Sequence, residues 1–173
     1  MGLTPLEGLM MGTRSGDIDP GAIPFIMEKL QLDGKGLSDL LNKKSGVLGV
    51  SGVSSDMREV EAAAKDGNKR AELANTIYFY RIKKYIGAYA AAMGGVDIIA
   101  FAGGVGENQY PCREAALEGL EFIGVELDKE LNKKSRGEEV ILSTPESKVK
   151  VVLVPTDEEL MIASDTYEIV SAK

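Results

Sequence analysis

The chain has 173 residues, of which 44% are hydrophobic and 27% are charged, a composition typical of a soluble globular protein. Its formal charge of -7 excludes the broad basic surface that nucleic-acid binding requires, so we expect no nucleic-acid partner. The absence of histidine and the single cysteine, Cys112, exclude histidine-based acid–base chemistry, histidine-ligated zinc and an internal disulfide. No leader-like segment or membrane-length apolar run occurs, which predicts a cytoplasmic protein without a membrane partner.

The length is ordinary for one compact domain, and we predict a single domain over residues 1–173. Turn-forming residues dominate the first 21 positions, which predicts a loop. Val47–Ser55 is rich in glycine and serine and is interpreted as a connector. Apolar spacing predicts four helices in this half of the chain, with Asp33-Gly34 as the break between the first two: Ala22–Leu30, Gly36–Lys43, Met57–Lys65 and Lys69–Met93.

One face of the long helix carries large side chains at three- and four-residue steps, namely Tyr78, Ile82, Tyr85, Ile86, Tyr89 and Met93. We interpret this stripe as packing surface rather than as an aromatic ligand site. Packing in the core and packing across a homodimer interface both explain the spacing. The sequence leaves these two alternatives open.

Short apolar runs predict the strands of the second half. Val96–Ala102 lies between two Gly-Gly pairs, which is typical of a strand buried on both faces in a parallel sheet. The order of strands and helices predicts an α/β layer with βαβ connections. The remaining predicted elements are strands at Val140–Leu142 and Val149–Val154 and helices over Arg113–Leu120 and from Glu158 to about Val170.

The glycine-rich segment Gly103–Asn108 directly follows the first predicted strand. Glycines at the carboxyl end of a parallel strand let the backbone approach a phosphate or nucleoside. The spacing fits neither the dinucleotide fingerprint nor the P-loop, because Gln109 stands where a third glycine is needed and no Gly-Lys-Ser/Thr follows. A tight structural turn therefore explains this segment as well as a ligand site does.

The acidic segment Val154–Leu160 follows a later predicted strand. Its carboxylates could hold Mg2+, which prefers one or two carboxylates together with substrate phosphates. Thr156 and Glu159 also fit a capping box at the start of a helix, and this structural interpretation is the favoured one for the segment taken alone.

Asp56 and Arg58 stand together at a predicted helix start after a glycine-rich stretch. Asp56 could accept a hydrogen bond from a ribose or base, and Arg58 could stack on a nucleotide. Asp56 with Glu59 also fits a capping box, which is again the favoured interpretation in isolation.

Arg14 lies between two glycine turns, in the segment Gly12–Gly21. The planar guanidinium suits carboxylate or phosphoryl oxygens. A surface ion pair with Asp17 is the structural alternative. Keeping a loop this rich in Gly, Pro and Asp ordered costs entropy, which favours a functional role.

Four segments in this order resemble the acetate kinase family: Met11–Pro20, Ser51–Arg58, Phe101–Asn108 and Pro155–Leu160. The resemblance covers nearly the whole chain, and the first segment is close to diagnostic of acetate and propionate kinases. It implies an α/β fold, one lobe of the actin, Hsp70 and sugar-kinase (ribonuclease H-like) fold, with a mixed sheet and flanking helices. It implies ATP or ADP, and acetate or acetyl phosphate, as substrates.

The resemblance also implies roles for individual residues. Arg14 matches the arginine that stabilises charge on the transferring phosphoryl group, Arg113 a further arginine near the site, and Pro5 part of the acyl pocket. Glu158, with Glu159 beside it, matches a glutamate linked to Mg2+, which Mn2+ could replace. The nucleotide-binding residues are implied to be Asp56, Met57, Arg58, Gly104, Val105, Gly106, Glu107 and Asn108.

The resemblance is to the carboxyl-terminal lobe only. The family's amino-terminal lobe supplies a second arginine, the catalytic aspartate and a histidine, and none of its motifs occurs in this chain. We therefore expect a fragment or separately expressed lobe that is inactive alone and has the amino-terminal lobe and a second copy of itself as partners. The alternatives are a stand-alone nucleotide-binding or dimerisation module, or a lobe of a propionate or butyrate kinase.

Overall fold

A computed structural model describes residues 1–172. The chain divides into two compact units, and the boundary falls between Ala92 and Met93. Each unit has its own internal packing and is described by itself. The prediction of a single domain stays a prediction.

The first unit is helical, and its helices lie close to the predicted ranges. Helix α2 begins two residues earlier than predicted, because the Asp33 carboxylate accepts a hydrogen bond from the Gly36 amide at 2.7 Å and caps a helix that includes Gly34. The helices are α1 Ala22–Leu30, α2 Gly34–Lys43, α3 Gly46–Ser51, α4 Met57–Lys65 and α5 Lys69–Met93.

Helix α3 corrects the prediction of a connector over Val47–Ser55. Val47 is fully buried, so tertiary packing stabilises a short helix whose glycines disfavour it locally. Gly52, with φ of 67°, ends the helix in the left-handed conformation that glycine adopts readily.

The aromatic stripe of α5 is buried only towards its amino-terminal end. Tyr78 is 8% exposed, whereas Tyr89 and Met93 are 60% and 67% exposed. Core packing therefore explains the beginning of the stripe and not its end. Homodimer packing through the exposed end stays a prediction.

The second unit is built on a three-stranded sheet. Its elements in chain order are β1 Ile98–Phe101, α6 Gly103–Asn108, α7 Tyr110–Leu117, a 3-10 turn at Glu121–Ile123, α8 Lys129–Lys134, β2 Val140–Ile141, β3 Lys150–Leu153 and α9 Glu158–Ser171. The strand order is β1-β3-β2, with β1 parallel and β2 antiparallel to the central β3. The sheet is mixed, as the resemblance implied.

Strand β1 is not buried on both faces, which corrects the prediction made from its apolar run. Ile99 and Phe101 are each 8% exposed, whereas Ile98 is 57% exposed. The side chains of a strand alternate between the faces of a sheet, so one face of β1 lies in the core and the other is open. Val151 and Leu153 of β3 are fully buried and form the centre of this core.

Helix α9 is exposed along its whole length in the described residues. Its large apolar side chains are 60% to 74% exposed, and they are Leu160, Met161, Ile162, Tyr167, Ile169 and Val170. Six large apolar side chains exposed on one helix are more than the single scattered apolar residues that are normal at a protein surface.

No helix within residues 1–172 is long and apolar enough to cross a membrane.

Candidate functional site

The guanidinium of Arg14 has no acidic partner within residues 1–172. In the described part of the chain, its one hydrogen-bond-like contact joins Nη1 to the Sδ atom of Met1 at 4.0 Å. The alternative of an Arg14–Asp17 ion pair is wrong, because the Asp17 carboxylate accepts hydrogen bonds from the Gly8 amide at 2.7 Å and from the Tyr85 hydroxyl. The loop therefore presents a cation that can meet an anion from outside the described chain.

Main-chain hydrogen bonds hold the Arg14 loop against the end of α2 and the start of α3. The Ser15 amide donates to the Leu41 carbonyl at 3.0 Å, and the Ser45 amide donates to the Thr13 carbonyl at 3.0 Å. The Thr13 hydroxyl adds a bond to the Asn42 carbonyl at 2.8 Å. The end of α2 and the start of α3, which contain none of the predicted site residues, therefore order this loop.

The Arg14 loop also contacts the segment that precedes α4. A Cβ atom placed on Gly12 would lie 2.8 Å from the carbonyl oxygen of Ser55, so the two backbones touch where only glycine fits. The structure thereby brings together two of the four segments on which the resemblance rests.

Asp56 and Arg58 pair with each other. The Asp56 carboxylate accepts the Arg58 amide at 2.9 Å, which caps α4, and the guanidinium Nε lies 3.0 Å from Oδ1. The hydrogen bonds from the Arg58 side chain and then from its amide lower the pKa of Asp56 to about 2. Asp56 acts as a helix cap, but no bond from Glu59 completes the box. Nucleotide contacts by both residues stay predictions.

Met57 and Pro5 differ in exposure. Met57 is 7% exposed as a whole residue, so little of its surface is available for contact with a nucleotide. Pro5 is exposed in the turn that precedes the Arg14 loop. Its place in an acyl pocket stays a prediction.

In the second unit, Glu107 joins the segments that follow β1 and β3. Its Oε1 atom accepts hydrogen bonds from the Gly103 amide, the Thr156 amide and the Thr156 hydroxyl, each at 2.9 Å. The bonds from Thr156 lower the pKa of Glu107. Because β1 and β3 are parallel neighbours, these segments lie at the edge where open α/β sheets bind ligands.

The start of α9 is not built as predicted. Asp157 caps the helix by accepting the Leu160 amide at 2.9 Å, while the Thr156 hydroxyl bonds Glu107. The Thr156–Glu159 capping box is therefore wrong.

The segment Gly103–Asn108 forms a short helix, α6, rather than a turn. Gly103, with φ of 70°, needs glycine for its backbone conformation. Gly104 does not have positive φ, and a Cβ atom placed on it would meet no atom within 4 Å. The space above Gly104 is open, which suits the close approach of a ligand to backbone.

Arg113 lies beneath this segment and is fully buried. Its Nε donates to the Asn132 side chain at 2.7 Å, and Nη2 donates to the carbonyls of Asn132 and Ser135 at 2.8 and 2.9 Å. Its Nη1 donates to the carbonyls of Gly106 and Glu107 at 2.8 and 3.1 Å. All five N–H groups of the guanidinium are used, so none is left for a phosphoryl oxygen. This environment contradicts a catalytic role for Arg113 and makes it a support of α6.

Glu158 and Glu159 are exposed in the first turn of α9. Within residues 1–172, no group of three or more His, Cys, Asp or Glu side chains could hold a metal ion. The two glutamates therefore fit Mg2+ only in the form that this ion favours with nucleotides, one or two carboxylates combined with phosphate oxygens.

Two residues that support these segments, Gly46 and Asn132, were missed from the sequence, and Thr156 was interpreted there as a helix cap rather than as a partner of Glu107. Gly46, Asn132 and Thr156 act through close approach or hydrogen bonds to residues far along the chain. Gly46 lies just before the predicted connector and Asn132 stands in a polar, lysine-rich stretch, so neither position carries a sequence signal for its distant contacts. Only the positive charge of Arg113 next to an apolar helix face hinted at a buried acceptor set.

Comparison with known proteins gives consistent matches. The Acetokinase family matches residues 1–164. The acetate kinase of Bacteroides thetaiotaomicron is 70% identical over 169 residues, which are 98% of this chain and 42% of that protein. The chain thus spans less than half the length of the curated relatives that it matches.

Solved structures agree with this match. The crystal structure of Porphyromonas gingivalis acetate kinase superposes with a TM-score of 0.93 at 64% identity and covers 98% of this chain and 43% of that one. A propionate kinase from Francisella tularensis superposes with a TM-score of 0.85 at 38% identity, over 94% of this chain and 41% of that one. The predicted α/β lobe of the actin and sugar-kinase type is confirmed.

Proposed function

The chain belongs to the acetokinase family, and we propose that it is the nucleotide-binding, carboxyl-terminal lobe of an acetate kinase. The proposed reaction is reversible phosphoryl transfer from ATP to acetate, which gives acetyl phosphate and ADP. The observation that carries the proposal is Arg14, a cation without an acidic partner among the described residues, on a loop whose backbone is anchored on several sides.

Phosphoryl transfer needs positioning and charge stabilisation more than covalent chemistry from the protein. In the proposed role, the Arg14 guanidinium stabilises the charge that develops on the transferring phosphoryl group. In the second unit, the open backbone at Gly104 and the neighbouring Val105, Gly106 and Asn108 are proposed to contact the nucleotide. In the first unit, Asp56, Met57 and Arg58 are proposed, separately, as nucleotide contacts. Pro5 lines the acyl pocket.

Glu158, with Glu159 beside it, is proposed to hold Mg2+ or Mn2+ together with the phosphates of the nucleotide. A bound divalent ion would neutralise phosphate charge. The described residues alone supply too few ligands for a closed metal site, which fits an ion that arrives with its nucleotide.

In this proposal the complete enzyme has a further lobe, since the chain spans 42% of the Bacteroides thetaiotaomicron acetate kinase. The exposed apolar side chains of α9 support a covering partner of this kind, because a surface of that size is unfavourable in water. A homodimer through the exposed end of the α5 stripe, and action in the cytoplasm where ATP is available, are part of the same proposal.

Two alternative functions are each supported by a specific observation. The similarity to the Francisella tularensis propionate kinase favours a longer acyl substrate, propionate or by extension butyrate. The short coverage of the relatives favours a module that binds nucleotide or dimerises without performing transfer. Turnover with acetate, propionate and butyrate separates these alternatives.

A chimera tests the proposal. This chain would replace the matching 42% of the Bacteroides thetaiotaomicron acetate kinase, and acetyl phosphate formation would be measured. We expect activity from the chimera and a loss of about 1,000-fold in kcat for Arg14→Ala, the scale of an arginine that stabilises a phosphoryl transition state. The exposed Lys133→Ala is the matched control for loss of a cation and should keep full activity.

Two results would contradict the proposal. A chimera that is folded by circular dichroism and inactive would rule out the lobe assignment. Near-normal turnover of Arg14→Ala would rule out the role of Arg14.

A further inference from the structure

The loop that carries Arg14 is closed at its ends by a reciprocal pair of hydrogen bonds. The Asp17 amide donates to the Gly8 carbonyl at 2.9 Å, and the Gly8 amide donates to the Asp17 carboxylate at 2.7 Å. Between them, Gly16 has φ of 66°, and a Cβ atom on it would lie 2.7 Å from the Gly8 carbonyl oxygen. The loop is thus fixed as a closed unit rather than an extended connection.

Asp17 also fastens this closed loop to helix α5. Its second carboxylate oxygen accepts a hydrogen bond from the Tyr85 hydroxyl, and Nη1 of Arg81 donates to the Asp17 carbonyl at 2.8 Å. The bond to Asp17 raises the pKa of Tyr85 to about 12, and the same bond is the main reason why the pKa of Asp17 is lowered. A carboxylate and a neutral phenol therefore face each other throughout the neutral range.

Gly46 holds the loop from the opposite side. Its φ is 63°, and a Cβ atom on it would strike the Met11 carbonyl oxygen and lie 2.7 Å from the Arg14 carbonyl oxygen and 3.0 Å from the Arg14 amide nitrogen. The flanking Val47 amide donates to the Met11 carbonyl at 2.9 Å. The Arg14 backbone is therefore packed against a position where any side chain would displace it.

We propose that Asp17, Tyr85 and Gly46 are positioning residues that set the place of the Arg14 guanidinium for phosphoryl transfer. Asp17 and Tyr85 fix the end of the loop to α5, and Gly46 fixes the backbone of Arg14 itself. This inference rests on the proposed role of Arg14 and adds three residues to it. None of the three is assigned to contact the reactants.

The first test is kinetic and uses the chimera. Tyr85→Phe keeps the ring and removes the hydroxyl, so we expect a loss of roughly tenfold in kcat, the upper range for one lost hydrogen bond, with KM for ATP unchanged. Gly46→Ala should lose about 100-fold, because a displacement of about 1 Å at a reacting group has an effect of that size. Tyr80→Phe is the matched control on the same helix, exposed and without a hydroxyl hydrogen bond among the described residues, and should behave as wild type.

A double variant separates positioning from general stability. If Tyr85 acts through Arg14, Arg14→Ala with Tyr85→Phe should be no slower than Arg14→Ala alone, because the guanidinium that the hydroxyl positions is already gone. Independent, multiplicative losses in the double variant would overturn the proposal.

The second test does not depend on catalysis. Amide hydrogen exchange of the 173-residue chain should speed up in residues 8–17 for Tyr85→Phe and Asp17→Asn and stay unchanged for Tyr80→Phe. Faster exchange there with an inactive wild-type chimera would refute the proposed function and leave the fixed loop standing. If the wild-type chimera is active and Tyr85→Phe alters neither its kcat nor the exchange of residues 8–17, the positioning role is refuted. This result decides the question even if Gly46→Ala fails to fold.

Discussion

The Arg14 loop and the segment Gly103–Asn108 are held by the same device but use arginine in opposite ways. In each, one carboxylate accepts hydrogen bonds from a glycine amide and from a hydroxyl. Asp17 accepts them from Gly8 and Tyr85, and Glu107 accepts them from Gly103 and Thr156. Arg14 projects from its loop without an acidic partner in the described residues, whereas Arg113 lies beneath its segment with every N–H bonded. The difference shows that, of these two guanidinium groups, only that of Arg14 has N–H groups free of carbonyl acceptors in the described residues, as its proposed role requires.

Replacement of Arg113 gives the largest expected effect on stability. Arg113→Ala removes a buried side chain and takes the guanidinium donors away from four carbonyl oxygens and the Asn132 side chain, of which the Glu107 carbonyl keeps the Gly137 amide at 3.3 Å. We expect the free energy of unfolding to fall by about 3 kcal/mol or more, measured by urea denaturation of the chain. Lys133→Ala, in the adjacent helix and exposed, is the control.

If Arg113→Ala were as stable as Lys133→Ala, the contrast between an open Arg14 and a structural Arg113 would be contradicted. Where the alanine variant does not fold, Arg113→Lys provides the measurement. An ammonium has three donors instead of five, so this variant should also be destabilised.

The next largest effect is expected from loss of the hydrogen bonds that Glu107 accepts from Gly103 and Thr156. Glu107→Gln and Thr156→Val should each increase amide exchange in Gly103–Asn108, because each removes bonds that join the segments after β1 and β3. The pKa of Glu107 is lowered in the folded chain, so its stabilising contribution is present above the ordinary glutamate pKa and is lost as pH falls through the lowered one. The protection factors of these amides, which are corrected for the intrinsic effect of pH on exchange, should fall across that acidic range in the wild type and not in Glu107→Gln. The same acid response in wild type and variant would assign it to other carboxyl groups.

Titration of Tyr85 tests the hydrogen bond that fastens the Arg14 loop to α5. One of the six tyrosines should titrate at about 12, because the Asp17 carboxylate favours the neutral phenol of Tyr85. The stability that this pair contributes is complete below the ordinary tyrosine pKa and is lost as pH rises through about 12. Absorbance of tyrosinate would follow the titration, and Asp17→Asn should return this group to the ordinary range. Six tyrosines that titrate together in the wild type would contradict the Asp17–Tyr85 bond.

The smallest expected effect is that of Arg14 on stability. Arg14→Ala should change the free energy of unfolding by no more than about 0.5 kcal/mol, because the guanidinium has no ion pair in the described chain to lose. The same urea titration that is used for Arg113→Ala measures it. A loss as large as that of Arg113→Ala would mean that Arg14 supports the fold, and the contrast between the two arginines would disappear.

Local patterns were sufficient for most elements. The long helix α5 and the helix α4 begin and end where apolar spacing and turn residues placed them. The pattern failed at α3 and α6, where glycine-rich sequences form short helices because buried neighbours and hydrogen bonds from distant residues compensate for the poor propensity of glycine. It also failed at β1, because an apolar run does not tell whether one or both faces of a strand are covered.

The order of four short segments determined the family and the α/β lobe, because the residues of each segment are contiguous in the sequence. Only the tertiary structure decided which arginine is open and which is saturated. The acceptors of Arg113 stand up to 22 residues away in sequence, and the Tyr85 hydroxyl reaches Asp17 across 68 residues. Hydrogen bonds and close approaches of this kind depend on how helices and loops pack, so the contacts of Gly46, Tyr85 and Arg113 could not be obtained from the residues alone.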